Sequence, residues 1–443
     1  MWVDFSARAA LCTTTNFVRS ESRRSVMSNS RWTNLFVAYM ALVGAFLPYV
    51  GWSPSLGTIS EELGLSYSQA GGISSITGLV AGVMILIGGV VASRWGSKNV
   101  IMAGLAAGVL GQALFAMADG FSLIIVARVL AGVSVGFLWV ATYTMAANWF
   151  RDVRKTGRAL GVMLSGDGMG ALLSLFVFSA VLAAFGWRMG LTVQAVCMGA
   201  VLVVVLFVSK NAPVAVGQAL HSLPAEPVSG VSAERPYRSL ANRNVLSALL
   251  FWIGGVGLFA AISSWMPSIL VEEAGVSESL AGFLTALFSI AGSAAALSVP
   301  ILAERLGSPK KIITVGGFVT AGSLAAMTLF LATGNYVMVI LLVPLIGIGV
   351  YASESLSLAE AVESVHPKSA GVVNGIIVGV PWIVSGFAYP YLLGAVKDAT
   401  GSFVQGFVVL TVATILLCAV TPFFIKETAP VAEPNSDALQ PQR

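Results

Sequence analysis

The stretch EELGLSYSQAG at residues 61–71 recurs as EEAGVSESLAG at residues 272–282, and ASRWGS at residues 92–97 recurs as AERLGS at residues 303–308. Both recurrences keep one offset of 211 positions without a gap. The identical pairs include Glu61 and Glu272, Gly64 and Gly275, Ser66 and Ser277, Gly71 and Gly282, Arg94 and Arg305, Gly96 and Gly307, and Ser97 and Ser308. Polar and glycine identities of this kind do not follow from a shared apolar composition, so they predict two homologous halves.

Around these stretches the chain is too apolar for an ordinary soluble protein. Of its 443 residues, 57% are hydrophobic and 10% are charged, against about 25% charged residues in soluble domains. A membrane helix needs about 20 apolar residues, and an open sheet cannot satisfy its backbone in lipid. We therefore expect an all-α membrane protein with twelve spans, near residues 34–53, 71–93, 100–118, 121–148, 159–185, 189–208, 246–266, 280–303, 312–332, 336–357, 371–395 and 404–425.

The spans fall into two groups of six, which predicts two pseudo-symmetric six-helix bundles. A polar stretch with several prolines separates them, as is typical of a linker. The expected parts are a cytoplasmic tail at 1–32, a first bundle at 33–209, a cytoplasmic linker at 210–244, a second bundle at 245–425 and a cytoplasmic tail at 426–443. For the Arg- and Ser-rich beginning three interpretations stay open: a transit peptide, a cytoplasmic tail, or a true start at Met27.

Basic residues indicate the orientation of the spans. Of the 24 Lys and Arg residues, all but Arg128, Arg188 and Lys397 fall at the chain ends or in loops that share their side. Loops rich in Lys and Arg stay in the cytoplasm. Both termini are therefore expected to be cytoplasmic, in a cell membrane, and the scattered charge does not favour nucleic acid as a partner.

Several motifs resemble those of the major facilitator superfamily over residues 32–426. GVVASRWGSK at 89–98 resembles the loop signature G-x-x-x-D-R-x-G-R-K/R, with Ser93 and Ser97 replacing an acidic and a basic position, and PILAERLGSPKK at 300–311 is its second copy. ARVLAGVSVG at 127–136 resembles the family's R-x-x-x-G pattern. FGWR at 185–188 and YPYLLGAVKDATGS at 389–402 are similar to the start of span six and the end of span eleven.

The resemblance implies that two bundles rock about a site near the membrane midplane and expose it to each side in turn. It also implies a gating role for the loop residues of both copies, which are Gly89, Arg94, Gly96, Lys98, Glu304, Arg305 and Gly307.

Arg128 is the one basic residue inside a predicted span. Charges within lipid are costly, so such groups are candidates for function, and the planar guanidinium suits carboxylates. A helical projection places Trp139 and Tyr143 near the face of Arg128. This predicts a substrate-binding wall of Arg128, Trp139 and Tyr143; the alternative is that Arg128 holds the first bundle together.

Asp167 and Glu354 are the two acidic residues inside the predicted spans. A carboxyl group buried without a partner favours its neutral form, so both are candidates for proton coupling. The alternative for Asp167 is a bond to a neighbouring helix or to the basic loop, and the glycines beside it favour close helix packing. The alternative for Glu354 is a side chain that reaches the surface beside Glu360 and Glu363.

The sequence shows no pair of nucleophile and base and no metal-ligand spacing, and Cys12, Cys197 and Cys418 lie far apart. We therefore expect no enzyme, no cofactor and no metal. The predicted protein is a monomeric secondary transporter in the lipid bilayer that takes up a small organic anion, with protons as the coupling ion. Export of an apolar compound is the first alternative, and a non-transporting sensor or assembly factor with the same fold is the second.

Overall fold

The computed structural model describes residues 30–150, 156–211 and 241–426, which are helical throughout apart from short turns. Twelve helices in this part of the chain are long and apolar enough to cross a membrane. They are α1 (Ser30–Leu63), α2 (Tyr67–Trp95), α3 (Ser97–Ala116), α4 (Phe121–Phe150), α5 (Arg158–Phe185), α6 (Trp187–Val208), α7 (Arg243–Glu272), α8 (Glu278–Ala303), α9 (Pro309–Ala332), α10 (Tyr336–Glu363), α11 (Ser369–Thr400) and α12 (Phe403–Phe424). The predicted all-α fold with twelve spans is thus confirmed.

The spans differ from the predicted ones chiefly in α1, which was expected to end at residue 53. The chain makes a short 3-10 turn at Ser53–Ser55 and then a further helix at Leu56–Leu63. Pro54 lies in the first turn of this segment, where its missing N–H costs no helical hydrogen bond. The proline therefore lets the helix restart instead of ending it.

The sequence repeat reappears in the backbone of the two halves. Ser66 and Ser277 both cap the helix that follows, because the side chain of each accepts a hydrogen bond from a backbone N–H in the first turn. The turn glycines Gly64 and Gly275 have φ values of 63° and 67°. This left-handed conformation strains any residue with a Cβ, so the repeated glycines are required by the turn itself.

We call the side where α1 begins and α12 ends the terminal side, and the opposite one the far side; α1 to α6 form the first half and α7 to α12 the second. Most of residues 1–32, 210–244 and 426–443 lies outside the described residues. The boundaries proposed for the tails and the linker therefore stay predictions.

Hydrogen bonds between the halves close the far side. Ser55 Oγ donates to Glu278 Oε2 at 2.8 Å, and Thr58 Oγ1 donates to Oε1 of the same residue at 3.3 Å. The backbone N–H groups of Tyr67 and Ser68 donate to Asp398 at 2.9 and 2.7 Å. The beginning of α2 is thus held by the end of α11.

Below this closure α2 and α11 meet along a row of glycines, which we call the glycine seam: Gly71, Gly78 and Gly82 of α2. A Cβ at Gly78 would lie 2.7 Å from the carbonyl oxygen of Gly386, and one at Gly82 would lie 2.7 Å from that of Gly379. No side chain fits in these gaps, so the two backbones touch directly, as small residues allow in membrane helices.

Candidate substrate cavity and coupling residues

A cavity of about 260 Å³ lies between the two halves. Its aromatic wall comes from α4, α7, α10 and α11 and consists of Trp139, Trp252, Phe259, Tyr351 and Trp382. Its two acidic residues are Asp167 of α5 and Glu354 of α10. Apart from Phe259, these residues lie in the half of their span nearer the terminal side, so the far-side closure covers the other end of the cavity.

Aromatic rings close the cavity towards the far side. Trp382 packs edge to face against Trp139 and Phe259, with ring centroids 6.3 and 6.1 Å apart. Tyr49 of α1 stacks on Phe259 at 5.5 Å and meets Trp382 at 5.2 Å. These contacts join rings from both halves into one layer, which closes the end of the cavity nearer the far side.

Asp167 is buried in α5 with 4% of its surface exposed. Among the described residues its Oδ1 atom has no hydrogen-bond partner. The flanking glycines pack closely, as expected: a Cβ at Gly166 would lie 3.0 Å from Leu42 of α1, and one at Gly168 would lie 3.1 Å from Ser293 Oγ of α8. They let α5 approach both helices and carry the carboxyl group into the cavity wall.

Glu354 lies in the cavity wall rather than at the surface beside Glu360 and Glu363. Its Oε1 atom has no hydrogen-bond partner in the described part of the chain and occupies the space in front of Gly255 of α7. Asp167 lines the same cavity from α5. The structure thus brings together the two predicted coupling residues.

Arg128 is fully buried in α4 and does not belong to the cavity lining. Its Nε donates to Thr77 Oγ1 at 2.9 Å and to the carbonyl of Ile73 at 3.3 Å, and its Nη2 donates to the carbonyl of Tyr49 at 3.2 Å. The guanidinium carbon lies 5.1 Å from the ring centre of Trp52. These contacts tie α4 to α1 and α2, as the structural alternative for Arg128 requires.

The residues of the predicted wall, Arg128, Trp139 and Tyr143, do not all lie at the same depth in the membrane. Arg128 and Trp139 share a helix face, but eleven residues separate them by about 16 Å along the axis. Trp139 lines the cavity. Tyr143 packs against Trp139 with ring centroids 6.1 Å apart, and its hydroxyl has no hydrogen-bond partner among the described residues.

The predicted gating residues lie at the terminal-side ends of α2, α3 and α8. Arg94 and Arg305 are exposed, whereas Gly96 and Gly307 take left-handed φ values of 82° and 62° in the turns. Lys98 Nζ donates to the carbonyl of Leu206 in α6 at 2.8 Å. A Cβ at Gly89 would meet open space, so packing does not require a glycine there. The side chain of Glu304 is outside the described residues.

Sequence reasoning missed four of the aromatic lining residues and the far-side contacts. Trp252, Phe259, Tyr351 and Trp382 carry no motif, and their only signal is an aromatic ring well inside a span rather than at its end. Asp398 lies in the stretch quoted for the end of span eleven, but nothing in that stretch shows that it reaches α2.

Comparisons with known proteins agree with this architecture. The sequence model of the Major Facilitator Superfamily matches residues 32–389. The chain is 24% identical to the hexuronate transporter of Bacillus subtilis (strain 168), covering 79% of this chain and 84% of that protein. It is 26% identical to the probable sulfoacetate transporter SauU of Cupriavidus necator, covering 89% and 93%.

The fold is also that of a solved structure, a bacterial homologue of the human lysosomal transporter Spinster in an inward-facing and unoccupied conformation. The two share a TM-score of 0.70 at 14% identity, over 89% of this chain and 96% of that one. With the family match over most of the chain, the twelve spans and the central cavity, the chain belongs to the Major Facilitator Superfamily and is a multi-pass membrane transporter of small solutes.

Proposed function

We propose that this chain is a proton-coupled carrier that takes up a small organic acid. The observation that carries the proposal is the pair of carboxyl groups, Asp167 and Glu354, in the wall of the cavity between the halves. Each has an oxygen without a hydrogen-bond partner among the described residues. Within lipid such groups are costly unless they bind a proton or a substrate.

The terminal side is the cytoplasm in this proposal, and the membrane is the cell membrane. The support is the sequence distribution of Lys and Arg, which favours that side. The cavity then lies on the cytoplasmic side of the closure made by Glu278 and Asp398. The conformation corresponds to an inward-facing state of an alternating-access cycle.

Protons account for how an acid binds beside two acidic residues. An ionised carboxyl group only accepts hydrogen bonds and would repel a substrate carboxylate, whereas a neutral one donates a hydrogen bond to it. Protonation of Asp167 or Glu354 therefore has to accompany binding of the anion. The names of the relatives, transporters of hexuronate and sulfoacetate, support an organic anion as the substrate.

Reconstituted vesicles test this coupling. We expect wild-type protein to accumulate a confirmed organic acid when the side facing its far-side loops is made acidic. Asp167→Asn keeps a hydrogen-bond donor but cannot exchange a proton. It should therefore retain exchange of labelled for unlabelled substrate and lose most of the accumulation driven by the pH gradient.

Asp119→Asn is the matched control, because the side chain of Asp119 is 97% exposed in a far-side loop. It should leave accumulation unchanged. Full gradient-driven accumulation by Asp167→Asn would disprove the coupling role of Asp167. Absence of any substrate flux would instead favour a non-transporting sensor or assembly factor.

Export of an apolar or cationic compound is a second candidate. The cavity lining described here contains five aromatic residues and two acids but no basic residue, a composition that suits a cation or an apolar body. Susceptibility of a cell strain without its major pumps distinguishes the candidates. Expression of an exporter would raise resistance to such compounds, and expression of an acid importer would not.

A further inference from the structure

We propose that two indole N–H groups, that of Trp139 in the first half and that of Trp382 in the second, bind the acid group of the substrate. The inference rests on the proposed carriage of an organic acid and names the donors that recognise its anionic end. It comes from the hydrogen-bonding groups that the cavity offers and from the way in which the two rings are held.

Tryptophan supplies the cavity with N–H donors that no described residue accepts. The lining contains Trp139, Trp252 and Trp382. The indole N–H of Trp252 donates to the carbonyl oxygen of Glu354 at 3.1 Å. Those of Trp139 and Trp382 make no hydrogen bond within the described part of the chain, and neither is among the buried polar atoms that lack a partner. These two N–H groups are therefore accessible to a solute in the cavity.

An indole N–H selects a solute that accepts hydrogen bonds, because it donates and cannot accept. An ionised carboxyl group has only acceptor sites, whereas an ammonium group has only donors. A cationic or wholly apolar solute would leave both N–H groups without a partner, which is unfavourable for a buried donor. The hydroxyl of Tyr351 also lines the cavity, but it accepts as well as donates and so selects less. Trp139 and Trp382 thus favour an acid over a cation.

These neutral donors take the place of a basic side chain, since no Lys or Arg is among the described residues of the lining. A hydrogen bond to an ionised acceptor is stronger than one between two neutral groups. Asp167 and Glu354 line the same cavity and would repel a carboxylate while they are ionised. Protonation removes this repulsion, and the indole N–H groups then bind the anion without adding a positive charge to the site.

Other aromatic rings hold the two indoles in place. Trp382 packs against Tyr49 and Phe259, with ring centroids 5.2 and 6.1 Å apart. Trp139 packs against Tyr143 at 6.1 Å. Donors that are already ordered lose little conformational freedom when they bind. The ring centroids of Trp139 and Trp382 lie 6.3 Å apart, so one small anion can lie within reach of both.

One donor belongs to α4 and the other to α11, so an acid bound to both joins the two halves through the cavity. A hydrogen bond of about 2.9 Å to each oxygen of one carboxylate is enough for this link. The assignment therefore predicts that each half contributes separately to the affinity for the acid.

Replacement of single tryptophans by 3-benzothienylalanine tests the assignment, because sulfur takes the place of the N–H and the ring keeps its shape. The probes are benzoate and glucuronate, two acids with different bodies, titrated calorimetrically into the purified full-length chain. We expect replacement of Trp139 or of Trp382 to weaken the binding of either acid by about 10- to 150-fold, as for loss of a hydrogen bond to a charged group.

The same replacement at Trp32 is the control, because Trp32 is 55% exposed and does not belong to the lining. It should bind both acids as the wild type does. Nuclear magnetic resonance of isotope-labelled indoles gives a second measurement on the unmodified chain. Addition of an acid should move the N–H resonances of Trp139 and Trp382 and leave that of Trp32 in place.

The outcomes separate this inference from the proposed function. Wild-type affinity in both replacements, with accumulation that still depends on Asp167, overturns the indole assignment alone. Loss of affinity at one position only overturns the assignment of the other tryptophan. Accumulation of acids that is indifferent to Asp167→Asn overturns the coupling proposal. Absence of binding by both acids to the wild type counts against both proposals.

Discussion

Asp398 at the end of α11 caps the beginning of α2 at Ser68. Its Oδ2 atom accepts the backbone N–H of Ser68 at 2.7 Å and the hydroxyl of the same residue at 2.5 Å. A carboxylate at a helix N-terminus binds N–H groups that have no partner within the helix. Here the cap comes from the other half of the molecule, so it forms only while the far side is closed.

Removing this cap should open the far side. An N-cap contributes about 0.5–2 kcal/mol, so in Asp398→Ala we expect the far-side-open state to increase by about 2- to 30-fold. The reporter is Ser264→Cys at a buried contact between the halves, where Ser264 Oγ donates to Ser74 Oγ at 2.7 Å. The rate at which a membrane-impermeant maleimide labels this cysteine measures opening. The control is Asp119→Ala, in a far-side loop, which should not change that rate. An unchanged rate in Asp398→Ala would contradict the role of Asp398 in holding the far side closed.

The glycine seam should tolerate no added methyl group. Gly78→Ala would place a Cβ 2.7 Å from the carbonyl oxygen of Gly386, so α2 and α11 would have to separate. We expect slower transport and faster labelling of Ser264→Cys. Gly89→Ala is the control on the same helix, since nothing lies within 4 Å of a Cβ there and its gain in helix propensity is the same. Equal behaviour of the two variants would show that the seam is not tight in the membrane.

Replacement of Arg128 should destabilise the first half. In Arg128→Met the hydrogen bonds from the charged guanidinium to Tyr49, Ile73 and Thr77 are lost, and a hydrogen bond to a charged group contributes about 1.5–3 kcal/mol. Thermal unfolding of the purified protein should shift to clearly lower temperature. Arg94→Met, an exposed arginine at the end of α2, should unfold like the wild type. If Arg128→Met has wild-type stability but has lost binding of a confirmed anion, Arg128 is a substrate ligand instead.

Gly255 should control the position of Glu354. A Cβ at Gly255 would meet Glu354 Oε1, so Gly255→Ala has to displace this carboxyl group. We expect at least a severalfold loss of affinity for the transported acid, measured by calorimetry. The fold should be retained, because the atoms that the Cβ would meet belong to the side chains of Glu354 and Val350 and not to the backbone. Gly322→Ala in α9, with nothing within 4 Å of a Cβ, should bind normally; equal affinity in both variants would remove Glu354 from the site.

The spans, the repeat and the turns could be predicted from the sequence because each depends on local composition. Apolar length alone defines a membrane helix. The capping serines Ser66 and Ser277 and the turn glycines Gly64 and Gly275 carry their own signal, since few residues can replace them.

The cavity could be predicted only in part because helix periodicity gives a face but not a depth. It placed Arg128 and Trp139 together although they lie at different levels of α4. It also missed Phe259 and Trp382, because lipid-facing and interior positions of a membrane helix are both apolar and give no amphipathic pattern. Asp167 and Glu354 were found because a charge within a span stands out from any such background.

The far-side closure pairs carboxylates with uncharged donors. Glu278 and Asp398 come from the second half, and the groups they bind are the hydroxyls of Ser55 and Thr58 and the N–H groups at the start of α2. The ion pairs of the described residues, Arg188 with Glu62 or Asp119 and Lys397 with Glu273, each lie within one half. Dissolved salt weakens attraction between exposed opposite charges, whereas no ion pair among the described residues joins the halves. We therefore expect the far-side closure to be equally stable at low and at high salt concentration.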